Sequence, residues 1–273
     1  MQEINIKTLL LIGNGYDLSF GMKTSYRNFV QSELFKKILP QNKLASYIYN
    51  SFAENNYKWV DVEIELAKYS QYLSKGEIDD SKLEENFREL SNTLKEYLQN
   101  HTGGKENSKM KKCIREWYEY AESNKNIEVI SFNYTHKVTT DFFNDYKIHV
   151  NYIHGRITDN IVLGVDESSN LAPRHRFLYK SYNPNIQIKE VLDKITSANH
   201  FIIFGCSIGE TDEFYFKNVF KSTSKKTFQI YYYGEDEEIN IKNRIESITG
   251  NMTTFISNND VTFINSKELS INK

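Results

Sequence analysis

Apolar residues gather in short strand-like segments at 6–12, 127–132, 148–153, 161–165, 200–205 and 227–233, with a weaker one at 261–264. Runs of this length, rich in Ile, Leu, Val and Phe, predict strands buried on both faces. Between 24 and 125 the spacing turns helical. Ser25–Leu39 runs to Pro40, Lys43–Ala53 carries one apolar face, and Asp61–Leu73 and Ser81–Leu98 are amphipathic with Asp61 and Ser81 placed as N-caps. His101-Thr102-Gly103-Gly104 breaks the pattern before a last helix at about 109–123. Later strands alternate with helices near 136–146, 185–198, 211–222 and 236–248. The expected fold is α/β: a Rossmann-like, mainly parallel sheet with a large all-helical insertion after the first strand. The expected division is 1–23 with 126–273 as the nucleotide-binding domain, and 24–125 as a helical cap.

Composition adds bounds. The 273 residues are 39% hydrophobic and 14% aromatic, enough for a real core. With 34 basic and 36 acidic side chains the net charge is −2, which supplies no global attraction to nucleic acid or to an anionic membrane. Neither Cys113 nor Cys206 belongs to a Cys-x-x-Cys pair, and the six histidines lack metal-ligand spacing, so no disulfide framework or metal site is expected. No apolar run approaches the roughly 20 residues of a membrane span. A cytoplasmic protein without membrane or nucleic-acid partners is the expectation, and the 19 tyrosines leave room for a homo-oligomer interface.

Ligands of parallel sheets bind beyond the carboxyl ends of the strands, so those positions carry the candidate chemistry. The first run ends in Gly13-Asn14-Gly15-Tyr16-Asp17. Its two glycines suit a turn whose N–H groups cradle a pyrophosphate, although Leu18 stands where the third glycine of a dinucleotide fingerprint belongs. Further run ends are Ser131-Phe132-Asn133-Tyr134-Thr135, His154-Gly155, Leu163-Gly164-Val165-Asp166, and Gly205-Cys206-Ser207-Ile208-Gly209 with Thr211 and Asp212 beyond. Each alone is ordinary turn or capping chemistry; Thr211 or Asp212 suits a helix cap. The last also fits a Gly-x-Ser-x-Gly nucleophile elbow, but no histidine follows His200, so an α/β-hydrolase triad cannot be completed.

The opening Ile12-Gly13-Asn14-Gly15-Tyr16-Asp17-Leu18 with Thr24-Ser25-Tyr26 resembles the bacteriophage abortive infection AbiH family. The likeness extends through Trp59-Val60-Asp61-Val62-Glu63, the Asn133 motif, His154-Gly155, Leu163–Asp166 and Phe204–Gly209. It implies an anti-phage role, with a phage-derived or host protein as possible trigger. The order of motifs is also similar to sirtuin-like NAD-binding domains, with Asn133 preceding His154 by 21 residues. That similarity implies NAD or a related nucleotide as substrate or ligand, with no separate cofactor. Breaking the nicotinamide glycosidic bond would place Asn133 on a ribose hydroxyl and the attacking water, with His154 as proton acceptor. Gly13, Asn14, Gly15, Asp17, Gly155, Gly205, Ser207 and Asp212 would line the nucleotide, and Glu63 is left open as a further cleft residue. Two alternatives stand beside this NADase reading: a non-catalytic nucleotide sensor or partner-binding module, and a nuclease.

Overall fold

The computed structural model describes residues 7–56, 61–75, 81–122, 127–144, 146–183, 188–222 and 224–271. The chain divides into two compact units, residues 1–22 with 103–153 and 187–273, and residues 23–102 with 154–186. Helix Ser108–Glu122, grouped by sequence with the insertion, belongs to the first unit, and 154–186 belongs to the second.

The first unit is built on six strands: β1 (Thr8–Ile12), β2 (Ile127–Ser131), β3 (Val150–Tyr152), β4 (His200–Phe204), β5 (Thr227–Tyr232) and β6 (Asp260–Asn265). Their order is β3-β2-β1-β4-β5-β6, and every pairing is parallel. This is a Rossmann-like α/β sheet, with its topological switch between β1 and β4. Thr8 pairs with Ile127 and His200, and Ile12 pairs with Ser131 and Phe204, so the carboxyl ends of the three central strands stop level.

Every residue of β1 is buried because both faces are covered. Alternation along the strands separates two cores. Leu9, Leu11, Ile130, Phe201, Ile203 and Ile230 face Val191, Phe216, Ile241 and Ile245 of the later helices. Leu10, Ile12, Val129, Ile202 and Phe204 face Tyr16, Phe20, Met110, Ile114 and Trp117. Each large side chain so buried contributes about 2 kcal/mol.

The second unit is mostly helical. Helices Lys43–Glu54, Val62–Lys75 and Leu83–Gln99 pack with Tyr26–Val30 and Glu33–Ile38. The sequence predicts one helix where these last two stand. Ser32 divides it, because its hydroxyl caps Phe35 N–H and starts a new helix. Asp61 caps its helix as expected, through Glu63 and Ile64 N–H. The next helix begins at Leu83, one residue later than Ser81 as N-cap implies, and Lys82 holds the N-cap position without a side-chain capping bond. The run 161–165 is also not a strand of the sheet. Ile161, Val162, Leu163 and Val165 are buried, but they make only isolated bridges, Gly155 with Ile161 and Val165 with Tyr179, inside the second unit. A short apolar run reports burial and does not by itself distinguish a strand from a buried loop.

Candidate functional site

At the carboxyl ends of β1 and β4 two turns meet backbone to backbone. Gly13 N–H donates to Phe204 O and Gly15 N–H to Gly205 O, both at 2.9 Å, and Tyr16 N–H donates to Gly13 O at 3.0 Å. A Cβ on Gly13 would stand 2.4 Å from Gly205 O, and one on Gly15 would stand 2.5 Å from Gly205 Cα. Gly205 itself has φ +68°. These glycines are therefore required by the close approach of the two turns. The N–H groups of Gly13 and Gly15 are thus engaged within the protein.

The β4 turn carries backbone strain at Ile208, a β-branched residue at φ +53° and 1% exposure. Such a conformation costs on the order of 1–3 kcal/mol and persists only when its surroundings fix it. Arg244 supplies that restraint, donating from Nε to Ile208 O at 2.9 Å and from a guanidinium nitrogen to Glu213 at 3.0 Å. In a nucleophile elbow the serine holds the strained position. Here Ser207 is exposed and unstrained, which agrees with setting the hydrolase reading aside. Asp212 sits at the N-cap position of helix Glu213–Phe220 without a side-chain capping bond.

Asp17 lies in the short helix Gly15–Ser19 that follows the first turn and is 1% exposed. Its Oδ2 accepts from the Thr135 hydroxyl at 2.7 Å. Burial pushes the carboxyl up, hydrogen bonding from Thr135 and Asn133 and the charge of Lys137 pull it partly back, and the balance stands at about 7. Asn133 follows β2, held by its own N–H donating to Ser131 Oγ at 3.1 Å. It is 4% exposed, and neither its amide nitrogen nor its amide oxygen has a hydrogen-bond partner of good geometry; Asp17 Oδ1 lacks one as well. Buried polar atoms are nearly always satisfied, so Asn133 and Asp17 stand out, as Asn199 and His200 do at the other end of the sheet.

Beside this pair runs a closed network. Tyr16 hydroxyl donates to Asp141 Oδ2 at 2.5 Å, and Lys137 Nζ binds the same carboxylate at 2.5 and 2.7 Å. Burial and then the Asp141 charge raise the Tyr16 phenol well above its ordinary value, so it stays protonated. Lys137 also lies 3.8 Å above the Phe20 ring. Lys137 is thereby committed to Asp141 and does not pair with Asp17. The Lys137–Asp141 pairing is readable as an i,i+4 ion pair, whereas Thr135 and Tyr16 gain their roles only through folding.

In the second unit, His154 is 4% exposed and its carbonyl accepts from Val162 N–H at 2.8 Å. Gly155 has φ +69°, and a Cβ there would stand 1.9 Å from Asn160 O, so the turn to Ile161 accounts for this glycine. Glu63 forms a buried ion pair with Lys180 at 2.9 Å. Burial and the Glu63 charge raise Asp61 to about 6 despite the capping N–H groups and Lys180. Trp59 lies outside the described residues. Lys180 is 117 positions from Glu63 and carried no sequence signal.

Among the described residues no cluster of three His, Cys, Asp or Glu side chains has a metal-holding arrangement, and no helix is long and apolar enough to cross a membrane. A family model described as bacteriophage abortive infection AbiH matches residues 9–234. The chain belongs to the AbiH family. Membership supports an anti-phage abortive-infection role. The AbiH match runs from Leu9 in β1 through β5, takes in Asp17, Asn133 and the Glu63–Lys180 pair, and ends before β6. No curated protein matches the chain.

Proposed function

We propose that this AbiH protein acts in abortive infection by binding a nucleotide, NAD in the first instance, at the carboxyl edge of its sheet and releasing nicotinamide. The observation that carries the reading is the buried Asn133 amide, without a hydrogen bond of good geometry at either end and set against an Asp17 carboxyl at about 7. Asn133 accepts from one ribose hydroxyl and donates to another or to the attacking water. Asp17 exchanges a proton at neutral pH. In the reaction water adds to the ribose C1′, the bond to nicotinamide breaks with its electron pair leaving on the ring nitrogen, and the water's proton passes to a base. Asp17 is that base in this reading, a role the sequence assigned to His154. The pyrophosphate is not held by Gly13 and Gly15 N–H groups, which are spent on β4.

The test is nicotinamide release from NAD by purified protein, with Asn133→Ala, Asp17→Asn and His154→Ala beside it. Release that Asn133→Ala and Asp17→Asn both abolish supports the reading, and His154→Ala measures whether the imidazole shares the proton transfer. Saturable NAD binding without release moves the function to nucleotide sensing. Cleavage of RNA or DNA that survives Asn133→Ala and Asp17→Asn replaces it with nuclease activity.

A further inference from the structure

The second unit contains a pocket of about 310 Å³ that the reading above does not use. Its floor is apolar, from Ile161 at 8% exposure and Leu163 at 5%. Its walls are aromatic: Phe87 from helix Leu83–Gln99, Phe177 from the 3-10 segment Pro173–Leu178, and Tyr179. The Phe87 and Phe177 rings stand 6.0 Å apart at 51°. Phe177 is backed by His175, which is itself hydrogen-bonded to Ser70 at 2.7 Å. Tyr179 is fixed by its bridge to Val165 and by its hydroxyl accepting from Leu171 N–H at 2.8 Å. The walls are therefore rigid before any ligand arrives.

The rim decides the ligand class. Arg88, Asn92 and Asn183 supply a cation and two amides, and none of the described lining residues is acidic; Arg88 also pairs with Glu84 at 2.6 Å, one turn back on its helix and outside the lining. Arg174 and Arg176 add positive charge to the segment that carries Phe177. Aromatic rings with amides at the edge suit a flat heterocycle with hydrogen-bonding edges, and a guanidinium at the exposed rim, which can turn from Glu84, suits an attached anion. We propose that this pocket binds a nucleobase with its phosphate, the base against Phe177 and Tyr179 and the phosphate at Arg88. The volume admits one base and its sugar, at the small end of ligand pockets. The same chemistry is offered by a free mononucleotide and by an unstacked base of a single strand.

The test titrates AMP, adenosine and a single-stranded oligonucleotide of about eight nucleotides into protein carrying Asn133→Ala, which silences the sheet-edge site and leaves this one intact. AMP binding that Phe177→Leu weakens about tenfold, and that Arg88→Ala weakens with no effect on adenosine, is the expected result. Arg88 is exposed, so its variant keeps the test valid if Phe177→Leu fails to fold. An oligonucleotide that binds more tightly than AMP identifies a single strand as the source, and equal affinity identifies a free nucleotide; both uphold the proposal. Absence of binding by all three probes overturns it. So does AMP affinity indifferent to Phe177→Leu and Arg88→Ala, or a preference for a tryptophan-containing peptide over AMP.

Discussion

Two carboxylates sit at opposite ends of the same sheet, and they have been treated in opposite ways. Glu128, at the amino end on β2, pairs with Lys7 at 2.7 Å and Lys194 at 2.6 Å. Burial works against its charge, but the two lysines outweigh it and hold the carboxyl below its ordinary value. Asp17, at the carboxyl end, receives a hydroxyl and an amide neighbour, and the nearest cation is committed to Asp141. Its carboxyl rises to about 7. The lesson is that the carboxylate at the amino end is compensated by two cations while Asp17 has none of its own; unsatisfied polar atoms occur at both ends, on Asn133 at one and on Asn199 and His200 at the other.

The largest expected effect follows from that contrast. Asp17→Asn is expected to lower nicotinamide release by about 10²–10⁴, while raising stability at pH 8 by about 1–3 kcal/mol. The sign is set by the shift: a carboxyl raised from 3.8 to about 7 in the folded state contributes nothing unfavourable below about pH 4 and costs progressively more as pH rises to 7. Wild-type stability should therefore carry a falling component between those values that the variant lacks. His200, at the amino end, works the other way. Burial lowers it to about 4, so its component is full above pH 6.5 and is lost as pH falls toward 4. Urea denaturation across pH 4–8 on wild type and Asp17→Asn separates the two, and equal slopes for both proteins would break the comparison.

A second test asks whether the carboxyl edge is a preformed rim. Gly15→Ala forces a Cβ to 2.5 Å from Gly205 Cα and is expected to cost about 3 kcal/mol. Gly103→Ala has nothing within 4 Å and is expected to stay within about 0.5 kcal/mol. A mild Gly15→Ala protein would mean that the two turns are free to part, and that the glycines await a ligand after all.

The strands at 8–12 and 200–204 were legible because both faces are covered and each is almost wholly apolar, and those at 127–131 and 227–232 because apolar residues dominate around Glu128 and Gln229. The same signal misled at 161–165, where burial is complete but the backbone serves a loop. Asn133 was legible from its place at a strand end. The chemistry of Asp17 was not, because it depends on which neighbour Lys137 chooses and on how completely the turn closes over it. Sequence could not separate two uses of Gly13 and Gly15, because a turn that fits a phosphate and a turn that fits another turn need the same residues. Glu63 was visible as a motif residue, but its partner Lys180 could be supplied only by the fold.

The smallest effect sharpens the comparison from the other end. Glu128→Gln removes the charge that Lys7 and Lys194 share, but these side chains keep 15% and 19% of their exposure and remain hydrated. The expected cost is about 1 kcal/mol, less than for a fully buried pair. Screening should reduce it further in about 0.5 M salt, where charges interact only over a few ångströms. Nicotinamide release and nucleotide affinity should not change, because the substitution lies a full strand length from Asn133. Chemical denaturation at low and high salt, with the release assay on the same preparation, checks both statements. A Glu128→Gln protein that folds normally but loses release would mean that the field of the amino end reaches the carboxyl end, and the two edges would have to be treated as one electrostatic system.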